Sequence, residues 1–480
     1  MLSVDELLHS VNNMEHMQEE IFEVFKSYDI RGESPAVINA NFAEKLGIAV
    51  IKARNPKKVM IGKDMRLTSP ELEDALIASL TQNGVDVVKI GQCSTPMFNI
   101  LMGLANKEFD LGIMITASHN PGKYNGFKFV TGEMLPLGLG SGLEEIRDNF
   151  GSSNVERRTS NAGKVTEDPE ALERYVDFVI EKAELSSAMP EVKVVIDAGN
   201  GMAGFVLPKL LERLPWLKVE RLYFEPNGNF PNHEANPIKK ETLDALKKKV
   251  VETGAVMGIA FDGDADRIGF VDEKGEQVPG DIMTAVFAKI ELVKFGSGKV
   301  LNDVRSSWSV KDAIESAGGE SVFCKVGHAN IKNQMREVDA IFGGELSMHY
   351  YFKEFWNMEC GDYAMLVLLK ELVNPFQTFG DYWKHLQKYH HSGEINFEVL
   401  DKDAVMRRVV DAYKDKATKV VDLDGLRFEF GDPKQGEAWW FNLRQSNTEQ
   451  LIRLNLEATT IQLQNEKTTE ITNLITKIQL

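Results

Sequence analysis

The chain has 480 residues, of which 43% are hydrophobic and 26% are charged, a composition typical of a globular protein with about three or four domains. The 55 basic and 72 acidic residues give a formal net charge of −17, which argues against nucleic acid as a partner because its binders need a basic surface. The three cysteines are scattered and no apolar stretch approaches the ~20 residues of a membrane span. We therefore expect a cytoplasmic protein with no membrane partner.

The first predicted element is an amphipathic surface helix within residues 1–24, where Ser3 and Glu6 make a capping box. One pattern then occurs three times: a strand, a helix, a second strand, and a third strand that ends in a polar, glycine-containing loop. Strands that alternate with helices predict parallel α/β sheets, in which ligands bind beyond the carboxyl ends of the strands. The third strands are predicted at residues 111–115, 256–261 and 340–342.

The last part of the chain has a different pattern, in which strand-like runs surround one helix and a closing helix follows. This pattern predicts a small α+β domain. The predicted organisation is an N-terminal helix at 1–24, α/β domains at 25–165, 166–276 and 277–390, and an α+β domain at 391–480.

Residues 262–267 have the sequence DGDADR and directly follow a predicted strand. Three aspartates two residues apart can bring carboxylate oxygens to one point, where they repel one another unless a cation is present. A hard divalent cation such as Mg²⁺ relieves that repulsion. Asp262, Asp264 and Asp266 are therefore candidate metal ligands; the alternative is a solvated acidic turn.

Residues 116–121 have the sequence TASHNP and follow the third strand of the first repeat. Ser118 in such a turning loop suits a nucleophile or a phosphate carrier, although serines are common in turns and His119 alone is more typical of loop packing. The sequence GxSxG does not occur here, which disfavours an α/β-hydrolase serine.

Two further loops carry possible ligand-binding groups. Residues 444–448 have the sequence RQSNT, whose side chains and backbone N–H groups can hold a phosphate, but a polar turn between strands fits equally well. Residues 199–204 have the sequence GNGMAG and match a dinucleotide fingerprint. A glycine-rich turn that packs a helix on its strand needs no nucleotide, so an NAD-linked oxidoreductase is a remote alternative.

Together these loops resemble those of the α-D-phosphohexomutase family, in particular bacterial phosphomannomutase/phosphoglucomutase, and they come in the family's order. The resemblance covers nearly the whole chain from about residue 24. The matching stretches are FKSYDIRG at 25–32, TASHNP at 116–121 with YNGFK at 124–128, DGDADR at 262–267, GGELS at 343–347 and RQSNTE at 444–449.

The resemblance implies a fold of three topologically similar α/β domains with mixed sheets and a C-terminal α+β domain like that of TATA-box-binding proteins, arranged around a central cleft. It implies Mg²⁺ as cofactor, with Ser118, Asp262, Asp264 and Asp266 as metal ligands. The implied catalytic residues are Ser118, His119, Lys128, Arg31 and Arg267. The implied substrate-binding residues are Glu345, Ser347, His328, His349, Arg305, Arg444, Ser446, Asn447 and Thr448.

The implied activity is the interconversion of hexose 6-phosphate and hexose 1-phosphate, of mannose or glucose, through a phosphoserine and a hexose 1,6-bisphosphate. Lys128 and His119 both remain candidates for carrying the proton. Arg305 stands where the family more often has lysine, and Met348 fills a position that is usually small, so the preferred sugar stays open. A phosphoglucosamine mutase and a non-catalytic sugar-phosphate binder are the alternatives, and we expect a monomer or a homodimer.

Overall fold

The computed structural model describes residues 23–152, 161–186, 188–372, 377–446 and 450–476. The chain divides into two compact units. The first contains the described residues up to Gln277 and those from His349 to 372; the second contains Val278–Met348 and the described residues from 377 onwards. Apart from its last two residues, the helix predicted within 1–24 lies outside the described residues.

The N-terminal domain is built on a mixed sheet. Four of its strands are parallel, and strands Tyr124–Thr131 and Ile30–Glu33 extend the sheet with antiparallel pairing. Strand Leu111–Ile115 is completely buried, as expected for a central strand covered on both faces. In spatial order the strands are Ile30–Glu33, Tyr124–Thr131, Leu111–Ile115, Lys58–Lys63, Asp86–Gln92 and Val165–Glu167.

The second domain repeats this arrangement in the same unit. Strands Val192–Asp197, Leu217–Leu222 and Met257–Phe261 are parallel, and Ile268–Asp272 pairs with the last of these in the antiparallel sense. A short antiparallel hairpin, Tyr350–Phe352 with Met358–Glu359, also belongs to this unit. The α-helices of the unit are Ala40–Arg54, Ser69–Gln82, Thr95–Leu104, Leu143–Asp148, Ala171–Ala183, Ala203–Leu211, Asp244–Thr253 and Gly361–Glu371.

Local sequence explains where the helices begin. The helix Thr95–Leu104 starts after Ser94, whose Oγ accepts a hydrogen bond from the Met97 amide at 3.1 Å. Pro96 fits the first turn because an amide at that position has no partner within the helix. Asn39 caps the helix Ala40–Arg54 in the same way, by accepting from the Phe42 amide at 3.1 Å.

The second unit contains the third and fourth domains. Strands Lys299–Asp303, Glu320–Cys324 and Phe342–Gly344 are parallel. The fourth domain has an antiparallel sheet whose spatial order is His390–Glu398, Leu451–Ala458, Trp439–Gln445, Leu426–Phe430 and Lys419–Asp422. The α-helices of the unit are Gly280–Phe295, Trp308–Ser316, His328–Glu337, Phe379–Leu386, Lys402–Tyr413 and Ile461–Thr476.

Strands of the second unit show two kinds of difference from the sequence-based expectation. The strand predicted at 340–342 runs from Phe342 to Gly344, so the two glycines assigned to the loop continue the strand. The backbone there lies against a helix: a Cβ added at Gly344 would lie 2.3 Å from Thr284 Oγ1. Strand Leu426–Phe430 was not expected from the sequence, and its long pairing with Trp439–Gln445 stabilises it.

Candidate active site

The loop that carries Ser118 has an unusual backbone conformation. Ser118 has a φ of 51°, in the left-handed region that costs a non-glycine residue about 1–2 kcal/mol. Its amide donates to Thr116 Oγ1 at 2.9 Å, and the residue is only 3% exposed. Such a conformation persists only where surrounding contacts hold it.

The contact that holds the loop is Arg66, a residue that the sequence analysis missed. Its guanidinium, which is 1% exposed, donates to four loop carbonyl oxygens at 2.6–2.8 Å and to Asp64 Oδ2 at 3.1 Å. Only arginine offers five donors in a rigid planar group. The carbonyl oxygens belong to Ser118, Asn120, Pro121 and Tyr124.

The three aspartates lie beside the Ser118 hydroxyl. Ser118 Oγ donates to Asp262 Oδ2 at 2.8 Å. One carboxylate oxygen from each of Asp262, Asp264 and Asp266 lies within 4.8 Å of the others, and all three residues are buried. Among the described residues, Asp264 Oδ1 has no hydrogen-bond partner. Converging buried carboxylates, with an oxygen that receives no hydrogen bond from the described residues, fit a hard divalent cation.

The negative charges of this cluster are only partly balanced by neighbouring residues. Burial, followed by the charges of Asp266 and Asp264, raises the pKa of Asp262 well above its usual range. Lys128 Nζ donates to Asp264 Oδ2 at 2.7 Å and to Asp266 Oδ2 at 2.6 Å. Burial alone would lower the pKa of Lys128, but the two aspartates outweigh it and raise that pKa. Lys128 therefore stays protonated and compensates only part of the negative charge.

Arg31 and His119 also contact the serine loop. Arg31 Nη1 donates to Asn120 Oδ1 at 2.7 Å, and its other terminal nitrogen pairs with Asp29. His119 Nδ1 lies 3.1 Å from Ser118 Oγ. Burial, and then the positive charges of Arg267 and Arg31, hold the pKa of His119 well below its usual range. The imidazole is therefore neutral near pH 7 and can accept a proton.

Arg267 and His349 extend the cluster. The Arg267 Nε donates to His349 Nε2 at 3.3 Å, and that nitrogen also lies 3.3 Å from Asp266 Oδ1. Glu359 is a further buried acid that the sequence analysis missed: its carboxylate, Asp266 and His349 have atoms within 4.8 Å of one another. The structure thus brings His349 to the serine and aspartate site.

The glycine-rich loop at 199–204 packs against the loop at 262–267 that carries the three aspartates. A Cβ added at Gly201 would lie 2.7 Å from Gly263 O, and one at Gly204 would lie 2.0 Å from Phe224 O. The Met202 amide donates to Gly263 O at 2.9 Å. These close approaches explain the glycine spacing without a dinucleotide.

The second unit carries the other predicted residues. Arg305 donates hydrogen bonds from Nε and Nη2 to the Asp303 carboxylate at 3.1 and 2.9 Å. The same carboxylate accepts a hydrogen bond from the Leu346 amide at 2.9 Å. Glu345 Oε2 accepts the Gly327 amide at 3.0 Å. Asp303 therefore links Arg305 to the loop that contains Glu345 and Ser347. Gly327, the residue before His328, makes the second link to that loop.

Arg444 lies in a cluster of arginines. It pairs across the sheet with Arg453, which the sequence analysis did not identify. Burial, and then the positive charge of Arg305 and of Arg453, lower the pKa of Arg444, as expected where cations converge without a bound anion. Ser446 is 4% exposed at the end of the same strand. The predicted ligands Asn447 and Thr448 lie outside the described residues.

These domains and this serine–aspartate site define a class of protein, the phosphosugar mutases with three α/β domains and a C-terminal α+β domain. The chain matches the models of phosphoglucomutase/phosphomannomutase alpha/beta/alpha domains I, II and III over residues 23–153, 173–275 and 279–389. It matches the C-terminal domain model over residues 394–471. The chain therefore belongs to the phosphoglucomutase/phosphomannomutase family.

Similarity to individual relatives supports the same family assignment. The chain is 38% identical over 453 residues to a protein called phosphohexose mutases from Xanthomonas campestris, covering 94% of this chain and 98% of that one. It is 37% identical over 459 residues to a phosphomannomutase of Methanocaldococcus jannaschii, covering 95% and 98%. A crystal structure of a family protein from Burkholderia thailandensis aligns with a TM-score of 0.81 at 29% identity, covering 95% and 97%.

These findings confirm the predicted family, the fold class and the assignment to mutases of the isomerase class. The domain boundaries drawn from the sequence, the central cleft and the roles of individual residues remain predictions. In the described part of the chain, none of the helices has the length and apolar character needed to cross a membrane.

Proposed function

We propose that this chain interconverts hexose 6-phosphate and hexose 1-phosphate, of mannose or glucose, through a phosphoserine at Ser118 and a hexose 1,6-bisphosphate. The observation that carries the proposal is the Ser118 hydroxyl, which lies 2.8 Å from Asp262 within a buried group of three aspartates. A serine beside converging carboxylates has little use as a simple structural residue. It suits phosphoryl transfer, in which positioning and charge neutralisation provide most of the catalysis.

Ser118, Asp262, Asp264 and Asp266 would hold Mg²⁺, because the unpartnered Asp264 Oδ1 and the raised pKa of Asp262 both call for a cation. A magnesium ion here supplies positive charge to the oxygens of the transferring phosphoryl group. Lys128 and Arg267 supply further positive charge from this chain, since both lie at the same carboxylate cluster.

In the proposed transfer, the O–P bond at Ser118 breaks and a new O–P bond forms at the free hydroxyl of the sugar monophosphate. The sugar hydroxyl loses its proton to the neutral His119, which lies 3.1 Å from Ser118 Oγ and returns a proton to that oxygen as its O–P bond breaks. Lys128 is the less suitable acceptor, because Asp264 and Asp266 raise its pKa and favour its charged form. The resulting 1,6-bisphosphate then turns round and returns its other phosphoryl group to Ser118.

The phosphate that does not react would be bound by Arg444, Ser446 and Arg305, together with Asn447 and Thr448. The arginine cluster supports this role, because its lowered Arg444 pKa indicates cations that a phosphate would stabilise. Glu345, Ser347 and His328 would contact the sugar hydroxyls. Within the first unit, His349 and Arg31 would act at the serine–aspartate site. A cytoplasmic location and a monomeric or dimeric state also remain predictions.

A coupled assay tests the proposal. Purified protein is incubated with mannose 1-phosphate or glucose 1-phosphate, Mg²⁺ and a trace of glucose 1,6-bisphosphate, and formation of the 6-phosphate is followed. We expect turnover of at least one sugar, its loss in Ser118→Ala, and its retention in Ser186→Ala, which removes an exposed serine hydroxyl. Turnover of glucosamine phosphate alone would indicate a phosphoglucosamine mutase. Binding of these phosphates without turnover would indicate a non-catalytic binder.

A further inference from the structure

Residues 423–427 comprise the turn between two strands of the fourth domain and the first two residues of the second strand, and they lie against the backbone of Arg444. We call these residues the coupling turn. Gly425 has a φ of 69°, and a Cβ added there would lie 2.4 Å from Leu443 O and 2.9 Å from Arg444 Cα. Only glycine permits both the left-handed conformation and this approach. The turn is therefore fixed relative to the candidate phosphate-binding arginine.

One end of the coupling turn holds the loop of Arg305. The Arg427 guanidinium is fully buried, and its Nη1 donates to Val304 O at 2.8 Å and to Ser306 O at 3.0 Å. These two carbonyl groups flank Arg305 on either side. The guanidinium also lies 3.6 Å from the centroid of the Trp440 ring, a stacked contact that lysine does not reproduce.

Asp424, in the same turn, holds the loop that leads to His328. Its Oδ2 accepts the Val326 amide at 2.9 Å, and its Oδ1 lies 3.9 Å from Arg444 Nη1. A single carboxylate thus joins a predicted phosphate ligand to the segment that begins the His328 helix. The charge on Asp424 also offsets part of the repulsion among the neighbouring arginines.

Both loops are connected by hydrogen bonds to residues 345–347, the segment expected to recognise the sugar. The Arg305 side chain grips Asp303, and Asp303 Oδ2 accepts the Leu346 amide at 2.9 Å. From the other loop, the Gly327 amide donates to Glu345 Oε2 at 3.0 Å. Hydrogen bonds joined by short stretches of backbone therefore connect the turn beside Arg444 with the residues expected to recognise the sugar.

We propose that the coupling turn positions the sugar-recognition loops relative to the phosphate-binding arginine, with Asp424 and Arg427 as positioning residues. The inference rests on the proposed function and deepens it. Because the turn fixes Arg444 relative to Glu345, the site selects a ligand whose phosphate and ring hydroxyls match the separation of these two residues. Both residues act through others and touch no reacting atom, so their loss weakens ligand binding more than the chemical step at Ser118.

The test compares wild type with Arg427→Lys and Asp424→Asn. Arg427→Lys keeps the charge but loses the planar group that donates to two carbonyl oxygens and stacks on Trp440. Asp424→Asn keeps an acceptor but loses the negative charge next to Arg444. The matched control is Lys434→Ala, which removes an exposed ion pair with Glu315 that also joins the third and fourth domains. For each protein, KM and kcat are measured with glucose 1-phosphate and mannose 1-phosphate, together with amide hydrogen exchange.

We expect each positioning variant to raise KM about tenfold and to change kcat less than threefold, while the control resembles wild type. Amides in peptides covering 303–306, 325–328 and 345–346 should exchange faster, and those covering 116–121 should not change. An unchanged KM, with faster exchange confined to residues 423–427, would overturn the inference.

The two proposals fail in distinguishable ways. If the wild type turns over none of the hexose phosphates, the proposed function is wrong, but the exchange pattern still decides whether the turn controls both loops. If the wild type is active and the variants differ from it only in thermal stability, the proposed function stands and the coupling turn has a structural role alone.

Discussion

Replacing Arg66 by lysine perturbs the serine loop without removing any group that reacts. The arginine makes five side-chain hydrogen bonds, four of them to carbonyl oxygens of the loop. A lysine ammonium has three donors, so Arg66→Lys loses at least two. At about 1.5–3 kcal/mol for each hydrogen bond from a charged group, the variant should be about 3–6 kcal/mol less stable.

The loss should also lower catalysis in the molecules that remain folded. Ser118 keeps its left-handed backbone, with a φ of 51°, because the loop carbonyl groups around it are held in place. A displacement of about 1 Å at a reacting atom costs roughly 100-fold in rate. We therefore expect kcat to fall about 100-fold in Arg66→Lys, with a much smaller change in KM.

The assay combines urea denaturation with steady-state kinetics below the unfolding transition. Arg174→Lys is the matched control, because Arg174 is exposed and pairs only at the surface with Asp168. The control should resemble wild type in both measurements. A stability within 1 kcal/mol of wild type and a kcat within twofold for Arg66→Lys would refute the positioning argument.

Three further predictions follow from the same geometry. Millimolar Mg²⁺ should raise the Tm of the wild type but not of Asp264→Asn, because the buried Asp264 Oδ1 lacks a hydrogen-bond partner among the described residues; equal shifts would contradict the proposed metal site. Burial raises the pKa of Asp362 to about 6, although Tyr175 donates to it at 2.5 Å. Its raised pKa means that the contribution of the protonated acid to stability is complete below about pH 4 and is lost as the pH rises through about 6. Urea titrations across that range should show the loss in wild type and not in Asp362→Asn. Gly126→Ala should cost at least about 2 kcal/mol in thermal or urea unfolding, because the new Cβ would lie 2.0 Å from Ile30 O; a variant as stable as wild type would contradict the close pairing of these two strands.

The features that could be predicted from sequence are those encoded locally. The three aspartates are spaced two residues apart after a strand, and the structure brings their carboxylates within 4.8 Å of one another. Ser118 likewise follows a central strand, and it lies next to Asp262. Both loops follow the third strand of a repeated unit, so the repeat itself indicated that they could meet.

The features that were missed depend on contacts distant in sequence. Arg66 lies 52–58 residues from the carbonyl groups that it binds, and its only local signal is a charged pair, Asp64 and Arg66, just after a strand. Arg453 joins the candidate phosphate-binding cluster because strand register places it opposite Arg444. The glycines at 199–204 matched a nucleotide motif, yet the structure uses them for close backbone packing.

The most direct test of the central claim is to find where phosphate resides on the protein. Wild type is incubated with glucose 1,6-bisphosphate and Mg²⁺, digested, and its peptides are mapped by mass spectrometry. The proposed function predicts one added phosphoryl group on the peptide that contains Ser118, removed again when glucose 6-phosphate is added. Phosphate on another residue, or turnover by an enzyme that never carries phosphate at Ser118, would contradict the account.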